Sequence, residues 1–293
     1  MSHSAHPVIA DLSVVVPTLG RPVLERCLDA IAAGSRWPAR LVLLDQGRNP
    51  DVVAWVRRLR AGGLTVDHVR SDQRGVAAAR NRGIELVSTP LVAINDDDQC
   101  VAVDWLHRMH ERLLAHPDAI VTGRVAPAAP GVPSSISSVA PVTYTRPLLD
   151  RDPLFAGNMG LSLSTMERVG PFDEAASLNG AEDNDWGYRA LRLGVPIVYA
   201  PEVAVTHLDW RDAHELDATY RRYARAQGGF YGKHLRRWDP FIAGRALRDV
   251  IRGPWLVLRA AVTRNPELAV IGRAETRGIL PGIIAGFWDA RQP

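Results

Sequence analysis

Through the first hundred residues, short apolar runs alternate with stretches whose apolar residues recur every three or four positions. Leu12-Ser-Val-Val-Val-Pro17 is a β-branched run and reads as a buried strand. Pro22 suits the first turn of a helix, Val23, Leu24, Cys27, Leu28 and Ile31 keep helical spacing, and Gly34 can close it. Residues 41–44 form a second strand ending at Asp45-Gln46-Gly47. Asn49-Pro50 starts a second helix with Val52, Val53, Val56 and Leu59 on one side. Residues 64–69 read as a third strand and 75–87 as a third helix. Leu91-Val-Ala-Ile94 is a fourth strand that stops at three carboxylates. This alternation predicts βαβ units and a parallel sheet.

Beyond it, Asp104 can cap a helix carrying Trp105, Leu106, Met109 and Leu113, and residues 119–125 form another strand. Residues 126–153 are rich in Pro, Ser and Ala and read as a long loop. Ser164-Thr-Met-Glu167 has the form of a capping box for a short helix ending at Gly170. Residues 182–193 are a helix stopped by Gly194, and 196–200 and 203–206 are short strands. From residue 213 the pattern is helical, with breaks expected at Gly228-Gly229, Pro240, Gly253-Pro254 and Pro266. The expected organisation is an α/β domain over 1–210, divided into 12–125 and 126–210, followed by a helical region over 211–293.

Composition narrows the class. The chain has 293 residues with 46% hydrophobic content, enough for a sizeable core. Two cysteines, Cys27 and Cys100, lie far apart with no Cys-x-x-Cys spacing, which argues against a disulfide framework or a zinc site and suits a reducing cytoplasm. No basic start followed by an apolar segment marks a signal peptide, and no run approaches the ~18 apolar residues of a spanning helix. Charge is uneven: residues 211–293 hold 15 Lys/Arg and 8 Asp/Glu, and the rest hold 20 and 24. A basic C-terminal region can suit an anionic membrane surface, and the apolar stretch 279–288 suggests membrane docking or packing in a homodimer. Nucleic acid is not among the expected partners.

Four strand ends point at one rim: Pro17-Thr18, Asp45, Arg70-Ser71 and Asp96-Asp97-Asp98. Ligands of open α/β sheets bind at such carboxyl ends. No Walker loop or Gly-x-Gly-x-x-Gly follows the first strand. A diphosphate there must be neutralised otherwise, and adjacent carboxylates relieve their repulsion by sharing a hard divalent cation.

The chain resembles the family 2 glycosyltransferases, which have the GT-A fold, a Rossmann-like, mostly parallel sheet flanked by helices. The resemblance runs from about residue 12 to 207. It is carried in order by Ser13-Val-Val-Val-Pro-Thr-Leu-Gly-Arg21, Leu43-Leu-Asp-Gln-Gly47, Gly75-Val-Ala-Ala-Ala-Arg-Asn-Arg-Gly83, Asn95-Asp-Asp-Asp98, Gly157-Asn-Met159, Val169-Gly-Pro-Phe-Asp173 and Glu182-Asp183.

The resemblance implies roles. Pro17, Thr18 and Arg21 belong to the loop that embraces base and phosphates, and Asp45 to the base or ribose contact. Arg80 and Asn81 lie on the helix that closes over the nucleotide. Asp96, Asp97 and Asp98 match the Asp-x-Asp motif, with Asp96 near the ribose and Asp98 on a metal, Mn²⁺ or Mg²⁺. Gly157 and Asn158 would bring backbone to the donor sugar. Asp183 would be the base, with Glu182 binding sugar or acceptor. His207 is either a satisfied polar residue or a further metal ligand beside Asp98 and Asp96. The sequence departs from the family at Gln46 and Arg48, beside the base site.

The implied activity is inverting, metal-dependent hexosyl transfer from a nucleotide-diphosphate sugar, UDP or dTDP favoured, to a glycan, lipid-linked or small-molecule acceptor. The expected setting is cell-surface glycan or glycoconjugate synthesis in the cytoplasm, possible contact with the inner membrane face included. Two alternatives stay open: a sugar nucleotidyltransferase, disfavoured by the missing glycine-rich activating loop, and a non-catalytic nucleotide- or carbohydrate-binding protein. Trp186 and Trp210 read as core residues before acceptor platforms.

Overall fold

The computed structural model describes residues 6–128, 138–208 and 213–289. The chain divides into two compact units. The first comprises Met1–Pro147, Pro153–Phe172 and Gly187–Trp210, and the second Leu148–Asp152, Asp173–Trp186 and Arg211–Pro293.

The first unit is built on one sheet. Its strands are β1 (Val8–Thr18), β2 (Trp37–Asp45), β3 (Val66–Arg70), β4 (Leu91–Asn95), β5 (Gln99–Val101), β6 (Ile120–Pro127), β7 (Val142–Tyr144), β8 (Asn158–Ser162) and β9 (Ile197–His207). Their order is β3-β2-β1-β4-β8-β6-β9-β5, with β7 also on β9. The helices α1 (Leu24–Ala32), α2 (Asp51–Ala61) and α3 (Val76–Glu85) connect successive parallel strands. They are followed by α4 (Trp105–Ala115) and α5 (Leu163–Val169).

Val14, Val15 and Val16 are all fully buried, so β1 is covered on both faces as a central parallel strand requires. The parallel expectation holds for β3-β2-β1-β4. Beyond β4 the sheet is mixed, because β8 enters antiparallel to both β4 and β6. Gly83 sets how closely α3 lies on β1, since a Cβ there would stand 2.4 Å from a Val15 methyl.

Several expectations need correction. Residues 126–153 are not one long loop: β6 runs to Pro127 and β7 pairs with β9, while 129–137 lie outside the described residues. The two strands expected over 196–206 are one, β9, with an irregularity where Gly123-Arg-Val125 on β6 faces it. Ser162 rather than Ser164 caps α5, its hydroxyl accepting from Thr165 N at 3.1 Å. Asp104 precedes α4 without a side-chain cap, and its carboxylate accepts from Arg108 instead.

The second unit holds α7 (Ala213–Leu235), α8 (Pro240–Thr263) and α9 (Pro266–Asp289), with the 3-10 turn Ala176–Leu178. Helix α6 (Glu182–Arg192) has its first residues in this unit and the rest in the first. Gly228-Gly229 and Gly253-Pro254 do not break their helices. A Cβ on Gly228 would lie 2.1 Å from the Ile279 carbonyl, and one on Gly282 2.0 Å from the Arg225 carbonyl. These glycines let α7 and α9 touch backbone to backbone, and that packing outweighs their low helix propensity. Asp239 caps α8 ahead of Pro240 at the first helical position.

Candidate active site

The sheet order β3-β2-β1-β4 reverses direction between β1 and β4, which in open α/β sheets is where ligands bind. The two strand ends meet there. The Thr18 hydroxyl donates to Asp97 Oδ2 at 2.6 Å and accepts from Gly20 N at 2.8 Å, pinning the loop after β1. The Arg21 guanidinium donates to the other oxygen of Asp97 and lies 3.6 Å from Asp98 Oδ2. Asp97 is almost wholly buried, and burial pushes its carboxyl up ahead of the opposing pull of Arg21 and Thr18. Through these two contacts it holds the loop after β1.

Asp96 turns the other way. Arg80, on the first turns of α3, donates to both its oxygens, at 2.9 and 3.3 Å, and its guanidinium lies over the Phe172 ring. Gly157 makes room: a Cβ there would stand 2.3 Å from Asp96 Oδ2, and the Gly157 carbonyl accepts from Asp96 N at 3.1 Å. With its side chain 23% exposed, Asp96 is the most open carboxylate of the three.

Other expected residues are placed differently. Asp45 is buried, accepting from Gly47 N at 2.8 Å and meeting His68 Nε2 at 2.9 Å. The Asn81 amide exchanges two bonds of 2.9 Å with the backbone of Phe172, a clamp from α3 onto a distant loop. Asn158 is fully buried in β8; it accepts from Trp105 Nε1 at 2.8 Å and donates to the Val203 carbonyl at 2.9 Å. Its task is to join β8, α4 and β9. Pro17 pairs in register with Leu44 in the β1–β2 ladder. Sequence reasoning missed His68, and it missed the function of Gln46, whose amide donates to the carbonyls of Gln73 and Gly75 and so pins the loop before α3.

Of the three residues expected at a metal, Asp98 and His207 come together, with His207 Nε2 3.8 Å from Asp98 Oδ2. Asp96 is committed to Arg80 instead. Among the described residues, no group of three or more His, Cys, Asp or Glu side chains is gathered as a metal site. A divalent ion such as Mg²⁺ is commonly held by one or two carboxylates with substrate phosphates completing its shell. The Asp98–His207 pair brings one carboxylate and one imidazole to this rim. His207 Nδ1 is buried without a partner, and Gln99, directly across the β5–β9 ladder, buries both its amide atoms without a partner.

In the second unit, Glu182 and Asp183 open α6, where the dipole favours carboxylates. Glu182 is buried and its Oε2 accepts from Gly180 N at 2.8 Å. Asp183 is the more exposed of the two and accepts from Asn184 N at 2.9 Å. Trp186 is fully buried, and Trp210 lies outside the described residues.

The architecture is that of the GT-A glycosyltransferases. It aligns with the mannosyltransferase PcManGT from Pyrobaculum calidifontis, solved with GDP-Man and Mn²⁺, at a TM-score of 0.61 and 18% identity over 98% of this chain and 89% of that one. The model of the glycosyl transferase family 2 matches residues 13–145. Over residues 13–145 the chain is thus similar to the family 2 glycosyltransferases. It is similar to the hyaluronan synthase of Pasteurella multocida, 24% identical over 62% of this chain and 23% of that one. It is also similar to the validoxylamine A glucosyltransferase of Streptomyces hygroscopicus subsp. limoneus, 28% identical over 65% of this chain. The aligned region spans about a quarter of the first relative and half of the second.

Proposed function

We propose that this chain transfers a hexose from a nucleoside-diphosphate sugar to an acceptor hydroxyl, with inversion at the anomeric carbon. The observation that carries the reading is the constellation at the switch point: Arg21 on Asp97 and near Asp98, Arg80 on Asp96, and Asp98 beside His207. Two guanidinium groups at the carboxyl ends of a sheet suit a diphosphate. Asp96, held by Arg80 and backed by Gly157, keeps acceptor capacity for a ribose hydroxyl. Asp98 and His207 would hold Mn²⁺ or Mg²⁺, which when bound stabilises the negative charge growing on the leaving diphosphate.

Asp183 takes the proton of the acceptor hydroxyl as that oxygen bonds to the anomeric carbon and the carbon–phosphate oxygen bond breaks. Its partial exposure at a helix N-terminus favours it over buried Glu182, which is left to position the turn. One displacement by one base gives inversion. Among the relatives, a hyaluronan synthase, a glucosyltransferase and a mannosyltransferase solved with GDP-Man and Mn²⁺ support a sugar-nucleotide donor and a divalent metal. The acceptor class is a glycan, lipid-linked or small-molecule hydroxyl.

The test is nucleotide release from UDP-, dTDP- and GDP-sugars with Mn²⁺, with Mg²⁺ and with chelator. The proposal expects release from one donor class, lost with chelator and in Asp98→Asn. Product that keeps the donor's anomeric configuration by NMR refutes the single displacement. Release unchanged in Asp183→Asn refutes the assigned base.

A further inference from the structure

Helix α8 is apolar on two opposite faces. One buries Ile242, Ala246, Leu256 and Ala260 within its own unit. On the other, Leu247, Ile251, Trp255, Leu258 and Val262 recur three and four positions apart and are 52–78% exposed. That spacing aligns them as one stripe along the helix. Isolated exposed apolar residues need no explanation, but a continuous row of five does.

The edge of the stripe selects the partner. The helix's one acidic residue, Asp249, is buried and engaged by Arg248 and Arg252. Arg259 continues the same edge as these two by helical spacing and lies over the Trp255 ring at 5.2 Å. Arg264 follows the helix at its C-terminal end. One edge of the stripe is thus lined by cations, and the helix carries no exposed carboxylate. A second copy seated on the same stripe would set these arginines against their own counterparts with no acid of α8 to meet them. Arg248 and Arg252 are already engaged by Asp249 and Glu275, so the cations left to meet an anionic lipid surface are chiefly Arg259 and Arg264.

Among the described residues, no helix is long and apolar enough to cross a membrane. Apolar side chains with tryptophan on one face and arginines beside them are the composition of a helix lying in the interfacial plane. In the stretch 279–288, Ile279, Gly282 and Gly286 are buried, while Leu280, Ile284 and Trp288 stay more than half exposed as a second, shorter row. We propose that α8 docks this chain on an anionic bilayer surface, its axis in the membrane plane and its apolar stripe in the headgroup boundary.

The experiment is flotation of the full chain with vesicles of phosphatidylcholine, with and without phosphatidylglycerol. Binding is expected to the anionic vesicles and to weaken as salt rises. Ile251→Ser with Trp255→Ser should abolish it, and Arg259→Gln should weaken it about fivefold, the worth of one basic residue near such a surface. Unchanged circular-dichroism melting in these variants separates lost docking from lost folding. Vesicle binding that ignores both variants overturns the proposal. So does a dimer in light scattering that the double substitution dissociates while the wild-type chain floats with no vesicle.

Discussion

Charge is handled in opposite ways in the two compact units. At the sheet rim the pairs are left partly open: the Arg21 side chain is 28% exposed and that of Asp96 23%. In the helical unit two networks are closed at their centres, although Asp173 at the edge of one keeps 32% exposure. Asp185 is fully buried between Lys233 Nζ and His234 Nε2, both at 2.8 Å, and Lys233 also reaches Asp173 at 2.7 Å. Arg245 grips Asp152 through two bonds of 2.7 Å and lies over the Phe230 and Tyr231 rings. The Tyr231 hydroxyl donates to Asp249, and burial pushes its pKa well up. Open pairs retain capacity for a ligand. Closed pairs have spent it on one another, and their desolvation is recovered only while every partner stays in place.

The largest expected effect follows from that closure. Lys233 is the chain's single lysine, and its compact ammonium sits between two carboxylates. Lys233→Met takes the ammonium away from buried Asp185 and should cost about 3–5 kcal/mol of stability in urea unfolding. A loss below ~1 kcal/mol, the scale of surface pairs, would show the network to be solvated and the comparison false.

At the rim the balance should invert. Asp98→Asn should slow nucleotide release by about 10²–10³-fold, the worth of one group stabilising transition-state charge, with little change in melting temperature. A large stability loss without a rate effect would move Asp98 into the structural class. Gly157→Ala tests the join between packing and site. Its Cβ would press on the Asp96 carboxylate, so about 1–3 kcal/mol of overpacking strain is expected, together with weaker donor binding in calorimetry.

The same contrast explains what the sequence could disclose. The strands β1 to β4 and helices α1 to α3 were legible because each buries a periodic apolar face, and the rim was legible because it is where those strands end. Gly228 misled because the propensity that counts against glycine in a helix says nothing of a carbonyl 2.1 Å from its missing Cβ. Asn81, Asp45 and Asn158 sit in motifs yet turn to Phe172, His68 and Trp105. A motif records residue type and order, whereas these partners lie 91, 23 and 53 positions away and are set by tertiary packing. The closed networks were unreadable for the same reason, since Asp152 and Arg245 meet only once the helices have assembled.

The smallest effect probes an imperfect closure. Glu275 on α9 is buried against Arg252 of α8, which donates to one of its oxygens while the other has no partner. Burial raises its pKa, ahead of the opposing pull of Arg252. A carboxyl raised on folding binds its proton more tightly in the folded chain. Its contribution to stability is therefore full below the unfolded value of about 4.3 and is lost as pH rises through the folded value. Glutamine cannot ionise and does not incur that loss. Glu275→Gln should leave the melting temperature nearly unchanged in acid and raise it at neutral pH, the difference opening across the carboxylate range. Arg252 is 45% exposed and can be satisfied by water once its partner is neutral. A melting temperature that instead falls at neutral pH would mean that the Arg252 pair outweighs the cost of burial, and that Glu275 belongs with the fully compensated charges around Lys233.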